Sequence, residues 1–340
     1  MAASPLQTFA AGDVVLQSGA ILPDARLAYT TYGELDRART NAIVYPTRYG
    51  GRHEDNEYLI GTEKALDPAR YFIVVPHLLG NGVSTSPSNT TLTRGERYPL
   101  VTIYDNVLIQ HRLLFERLGI QSIALAVGGS MGAQQAYQWA ALFPDDVGRL
   151  AVICGAARTA PHTHVFLEGL KAALTADPSW REAVGGSDSP EAGLRALGRV
   201  WAGWGMSQAF YRERRYLDLG YLDLEDFLVR HWEAPYSGRD AADLMAMMQT
   251  WQAFDVSAND VFDGDFERAL QTINAHVVLM PSATDLYFPP EDNAIEAALL
   301  NSCDLAVIPT IWGHAAAGEQ AHADAAFIDA RLRELLARTR

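Results

Sequence analysis

The chemistry-bearing pattern in this chain is Gly128-Gly129-Ser130-Met131-Gly132, a match to G-x-S-x-G. In that motif a serine stands on a tight turn between a strand and a helix, and small neighbours leave room for its strained backbone. The flanks have the required character: the apolar run 122–127 (SIALAV) leads in, and the Ala- and Gln-rich stretch Met131–Leu142 follows. A serine hydroxyl becomes a useful nucleophile only when a base removes its proton and a carboxylate orients that base. Asp285 comes shortly after the apolar run His276–Met280 (HVVLM), and His314 follows the run 305–308 (LAVI). Both fall just past an expected strand, on the same edge of a parallel sheet as Ser130, in the chain order serine, acid, histidine.

The competing reading of Ser130 is a glycine-rich β–α turn that merely allows close packing or cradles an anion at a helix N-terminus. Two other serines after glycines, in Gly186-Ser187 and Gly205-Met206-Ser207, lack a preceding apolar strand and a following glycine, and read as loop or helix serines. Among the remaining histidines, His111 lies inside an expected helix and His276 opens a strand. His162 and His164 form an H-x-H pair without a carboxylate at ligand spacing, which favours a solvated pair over zinc. His53 and His77 lie in loops after strands, where they can line a pocket, but they precede the serine. Acyl transfer needs two donors aimed at the developing oxyanion. The expected donors are the backbone N–H of Met131 and that of Arg48, the latter in the glycine-containing loop 46–51. No metal or diffusible cofactor is implied.

Positioning these groups requires a sheet. Apolar runs at 26–32, 42–45 and 71–75, each bounded by Gly, Pro, Asn or Asp, read as strands. Residues 105–118 read as a helix capped by Asp105 and ended by Gly119. Strand, helix, strand then recurs over 122–154, and again at the C-terminus with helices over 291–300 and 321–336. Uninterrupted apolar strands alternating with helices imply a parallel sheet covered on both faces. The expected core is therefore built from 1–157 and 267–340. Between them, 158–266 holds Trp180, Trp201, Trp204, Trp232, Trp251 and Met245, Met247 and Met248, with few β-branched runs. It reads as a helical lid inserted above the C-terminal edge of the sheet.

Composition narrows the partners. The chain has 340 residues, 49% of them hydrophobic, which excludes a disordered or collagen-like protein. With 27 Lys+Arg against 41 Asp+Glu, the formal net charge is −14, which disfavours nucleic acid and anionic membranes as partners. No apolar run approaches a membrane span, and residues 1–19 lack a basic segment followed by an apolar one. Two cysteines, Cys154 and Cys303, suffice for neither a disulfide framework nor a four-thiolate metal site. They read as core thiols in a reducing, cytoplasmic setting.

The longer motifs resemble the homoserine O-acetyltransferase family of α/β-hydrolases. They are Asp67-Pro-Ala-Arg-Tyr-Phe72, Leu79-Gly-Asn-Gly-Val-Ser-Thr-Ser-Pro87, Pro99-Leu-Val-Thr-Ile-Tyr-Asp105, Leu118-Gly-Ile120, and the Ser130 motif followed by Gln135 and Trp139. The resemblance implies a triad of Ser130, Asp285 and His314, an acyl-enzyme route, a helical lid and a homodimer. In the amino-acid acetyltransferases the catalytic histidine is followed by an aspartate that holds the substrate ammonium. This chain has Ala315, Ala316 and Ala317 instead. Burying an ammonium beside a methyl group leaves the charge unpaired, at a cost of several kcal/mol. The loop Pro46-Thr47-Arg48-Tyr49 also departs from the transferases' His-Ala-Leu-Thr. The chain is thus more similar to family members that hydrolyse short esters, including alkyl acetates. The alternative is an O-acetyltransferase that uses acetyl-CoA and an alcohol other than homoserine, and a third reading is a binding protein that keeps the pocket without turnover.

Overall fold

The structure is a computed structural model that describes residues 3–90, 92, 98–180 and 189–338, so Gly186 and Ser187 lie outside the described residues. The strands are β1 (Gln7–Val15), β2 (Ile21–Tyr32), β3 (Ala42–Val44), β4 (Phe72–Pro76), β5 (Ile123–Gly129), β6 (Arg149–Ile153), β7 (His276–Met280) and β8 (Cys303–Leu305). They form one sheet in the order β1-β2-β4-β3-β5-β6-β7-β8. The pairs from β4 through β8 are parallel, whereas β1 pairs antiparallel with β2, and β2 with β4. This is the mostly parallel, helix-flanked sheet expected, with its last two strands supplied by the C-terminal part of the chain.

The longer helices are α1 (Ile103–His111), α2 (Met131–Leu142), α3 (Pro161–Thr175), α4 (Glu191–Gly205), α5 (Ala241–Gln252), α6 (Pro290–Leu299) and α7 (His322–Ala337). Successive residues of a strand point to opposite faces, so the apolar strands feed two cores. Val44, Val74, Ala126, Val152 and Leu279 join Val107 of α1 and Ala136 of α2 on one face. Ile43, Ile73, Leu125, Ala151 and Val278 meet Ile328 and Leu332 of α7 on the other. Among the described residues of 158–266, every regular element is helical. Trp201, Trp251, Met247 and Met248 of that stretch are buried in the first core. None of the described helices is long and apolar enough to cross a membrane.

Three local expectations shift. The first helix starts at Ile103 and is capped by Thr102, whose hydroxyl accepts from the Asp105 N–H while the Asp105 carboxylate accepts from the Thr102 N–H. Asp105 is therefore the reciprocal partner in a capping box and not the cap itself. The regular part of β8 ends at Leu305, earlier than the apolar run 305–308 suggests. Backbone bonds from Ala306 N–H to Leu279 and from Ile308 N–H to Pro281 nevertheless carry the chain along β7. β1 has no counterpart in the sequence reading, because as an edge strand it exposes most of its residues and shows no apolar run. Cys154 is buried and Cys303 half-buried, both as free thiols.

Candidate active site

β5 ends at Gly129 and α2 begins at Met131, so Ser130 alone makes the turn, at φ 56° and ψ −127°. Such a conformation costs a non-glycine residue about 1–3 kcal/mol and persists only where the surroundings over-determine it. Here they do. The Ser130 N–H donates to the Ile153 carbonyl of β6 at 3.0 Å, and the Ser130 carbonyl accepts from the N–H groups of Ala133 and Gln134. The glycines are dictated by close approach: a Cβ on Gly128 would stand 2.1 Å from the Gly132 backbone, and one on Gly132 would stand 2.6 Å from the Pro46 carbonyl.

Asp285 and His314 come together. His314 Nδ1 lies 2.7 Å from Asp285 Oδ2, and Asp285 Oδ1 accepts from the N–H groups of Tyr287 (2.8 Å) and Phe288 (3.2 Å). The carboxylate is fully buried and the imidazole is 16% exposed. A proton on Nδ1 shared with the acid leaves Nε2 free as the basic nitrogen. Ser130 Oγ makes no hydrogen bond to His314 in this structure. The two segments do adjoin: a Cβ on Gly129 would touch the Ala317 methyl, at 3.7 Å, on the turn Gly313–Ala317 that carries His314. Nucleophile-to-base hydrogen bonds commonly tighten only when substrate is bound.

Hydroxyl groups brace this pair. Thr284, just before the acid, accepts from the Gly313 N–H at 3.1 Å and donates to the Thr310 carbonyl at 3.0 Å, so it spans the loop leading to His314. Thr163 of α3 donates to the Tyr287 carbonyl at 2.7 Å. Ser207 caps a short helix and donates to the Ile311 carbonyl. Gly313 adopts φ +63°, and a Cβ there would stand 2.9 Å from the Ser207 nitrogen. The helical stretch thus presses directly on the histidine loop. None of these braces follows from a sequence pattern, because each partner is remote in the chain.

The N–H of Met131 opens α2, where helix dipole and unpaired donors favour negative charge. Neither it nor the Arg48 N–H donates to any acceptor among the described residues. A cavity of about 170 Å³ opens beside the Arg48 loop, lined by Arg48, Tyr49, Gly51, Trp232, Tyr236 and Arg239. His53 and His77 face each other with ring centroids 5.5 Å apart, and burial pulls the His77 imidazole down to about 4, so it is neutral at pH 7. On α3, His162 packs on Trp204, and His164 approaches Glu168 one turn on at 3.9 Å, so a carboxylate does stand near the pair, contrary to the sequence expectation. No three His, Cys, Asp or Glu side chains cluster as metal ligands among the described residues.

Comparison with known proteins follows the same lines. The alpha/beta hydrolase fold family matches residues 57–308. A probable esterase of Corynebacterium glutamicum is 38% identical over 314 residues, covering 91% of this chain and 89% of its own length. The ethyl acetate hydrolase of Pseudomonas veronii is 37% identical over 313 residues, again covering 91% of this chain and 89% of its own length. The crystal structure of an acetylester hydrolase from Corynebacterium glutamicum superposes with a TM-score of 0.94 at 36% identity, covering 98% of this chain and 96% of that one. Homoserine O-acetyltransferases match at lower identity, that of Trichormus variabilis at 26% over 88% of this chain and 86% of its own length.

Proposed function

Because this chain belongs to the α/β-hydrolase family and is similar to esterases over 91% of its length, we propose that it is a serine ester hydrolase acting on short-chain, acetate-type esters through an acyl-enzyme on Ser130. The observation that carries the site assignment is the buried Asp285–His314 pair set beside a serine held at positive φ. His314 Nε2 takes the Ser130 proton as Oγ attacks the ester carbonyl, and Asp285 stabilises the imidazolium that forms. The N–H groups of Met131 and Arg48 receive the oxyanion. When the tetrahedral intermediate collapses, the alcohol leaves with the proton from His314. Water, deprotonated by the same nitrogen, then attacks the acyl-enzyme and releases the acid and free Ser130.

Ala315 supports hydrolysis over transfer to an amino-acid acceptor, since it supplies no carboxylate for an ammonium ion. The stretch 158–266 acts as the lid over a core of 1–157 and 267–340. Two free thiols support a cytoplasmic protein, and Leu217, Leu222, Leu224 and Val229, each exposed, supply apolar groups that a homodimer contact would cover. The test is to incubate the protein with p-nitrophenyl acetate and alkyl acetates, and separately with acetyl-CoA and a panel of alcohols and amino alcohols. Acetate release from simple esters without any acceptor is expected. Acetyl-CoA turnover that depends strictly on an acceptor, with negligible ester hydrolysis, would overturn the reading in favour of an acetyltransferase.

A further inference from the structure

A buried relay of amides runs beneath the Arg48 loop. Trp139 Nε1 donates to Gln110 Oε1 at 2.8 Å, Gln110 Nε2 donates to Gln135 Oε1 at 2.7 Å, and Gln135 Nε2 donates to the Thr47 carbonyl at 2.9 Å. Trp139, Gln110 and Gln135 are all fully buried. Gln135 Nε2 also reaches the Met131 carbonyl, at 3.3 Å.

Two features give this relay a direction and a target. An indole N–H only donates, so Trp139 obliges Gln110 to present its oxygen. Gln110 must then turn its NH2 toward Gln135, and Gln135 must turn its own toward Thr47. The polarity of both amides is set from the tryptophan end. The target is the peptide unit joining Thr47 to Arg48. That unit is planar and trans, so its C=O and N–H point in opposite directions, and holding one aims the other. The loop is held at its other atoms too, by Thr47 N–H donating to the Pro76 carbonyl (3.1 Å) and Thr47 Oγ1 accepting from the Leu78 N–H (3.0 Å).

We infer that Gln135 is a positioning residue for the oxyanion site: its grip on the Thr47 carbonyl aims the Arg48 N–H, with Trp139 setting the polarity of the grip. The inference rests on the reading of Arg48 N–H as an oxyanion donor in an esterase. It predicts a defect confined to charge stabilisation in the tetrahedral state, with substrate binding and the titration of His314 left alone.

The experiment compares wild type, Gln135→Met and Trp139→Phe for p-nitrophenyl acetate hydrolysis, with active sites titrated by an organophosphate so that rates refer only to folded, reactive enzyme. Affinity for a boronic acid, a tetrahedral-adduct mimic, is measured on the same samples. Gln135→Met is expected to lower kcat by about 10- to 100-fold, somewhat less than outright loss of a donor, with KM within about twofold and an unchanged acidic limb of the pH profile. Boronate affinity should fall by a similar factor. Trp139→Phe, which leaves the Thr47 bond in place, should lose about 2- to 10-fold in both, so it also answers the question should Gln135→Met fold poorly. Per-site rates and boronate affinities of both variants within twofold of wild type would overturn the inference while wild-type turnover leaves the esterase reading standing. A wild-type protein that neither cleaves the ester nor binds boronate would overturn both.

Discussion

Ser130 and the Asp285–His314 pair occupy one edge of the same sheet but are held there by different means. Ser130 is fixed by backbone: the ends of β5 and β6, the first turn of α2, and glycines whose replacement would drive a methyl into main-chain atoms. Asp285 is held by the N–H groups of Tyr287 and Phe288, and the loops that carry it and His314 are tied by side-chain hydroxyls and pressed by the helical stretch, through Thr284, Thr163, Ser207 and the contact on Gly313. The first region is assembled within a few residues, one neighbouring strand and the Pro46 carbonyl after β3. The second draws together groups more than a hundred residues apart, as Thr163 and Tyr287 are. The two halves are therefore held by different kinds of contact, the second partly through the helical stretch 158–266.

Substitutions that separate orientation from rigidity are expected to have the largest effects. Asp285→Asn keeps the shape of the acid but reverses what it offers to Nδ1, and kcat should fall by about 10⁴-fold, or about 5.5 kcal/mol, with little change in melting temperature. Gly128→Ala attacks the other region, and a methyl 2.1 Å from the Gly132 backbone should cost about 4 kcal/mol or more of stability. Thermal unfolding and expression in soluble form measure that loss. A normal melting temperature in Gly128→Ala would show the elbow to be softer than its contacts imply.

One group sews the two regions together. Glu296, on the helix after the acid turn, accepts from the Ala157 N–H (2.7 Å), the Tyr137 hydroxyl (2.8 Å) and the Asn293 amide (2.9 Å). Asn293 in turn donates to the carbonyl of Gly155, where a Cβ would stand 3.3 Å from the Ser130 carbonyl. No cation pairs with this carboxyl among the described residues, and burial pushes it up to about 7, above the usual carboxylate range. The folded state then binds a proton that the unfolded state releases near pH 4.3, so stability is fully present below that pH and is lost as pH rises through about 7. The loss by pH 8 is on the order of 3 kcal/mol. Glu296→Gln should flatten the fall in melting temperature between pH 5 and 8 relative to wild type, and parallel slopes in the two proteins would refute the assignment. The smallest effect is expected at the hydroxyl brace. Thr284→Val should lower kcat by about 10-fold with KM nearly unchanged, and Thr284→Ser should restore it, because a displaced base costs rate without costing affinity.

Legibility in the sequence followed the same division. The turn at Ser130 was readable because a strand, four small or flexible residues and a helix are contiguous, and the limits of β7 coincide with the run His276–Met280. Asp285 and His314 were readable from their places after strands, since the ends of parallel strands gather on one edge. The braces were not, because a threonine hydroxyl bonds whatever the fold brings to it. Gln135 and Trp139 stood out only through resemblance, and their connection to Thr47 required the packing of α1 against α2. β1 and the Thr102 cap escaped for local reasons: an exposed edge strand shows no apolar run, and a capping box places its acid three residues inside the helix.

The most direct test of the acyl-enzyme on Ser130 is peptide mass spectrometry of protein inactivated by diethyl p-nitrophenyl phosphate, read alongside residual p-nitrophenyl acetate turnover. One phosphoryl adduct per chain is expected, on the peptide containing Ser130 and in proportion to the turnover lost, and Ser130→Ala should take no adduct and retain about 10⁻⁴ of wild-type activity or less. An adduct on another residue that tracks inactivation, or undiminished ester cleavage by Ser130→Ala, would contradict it.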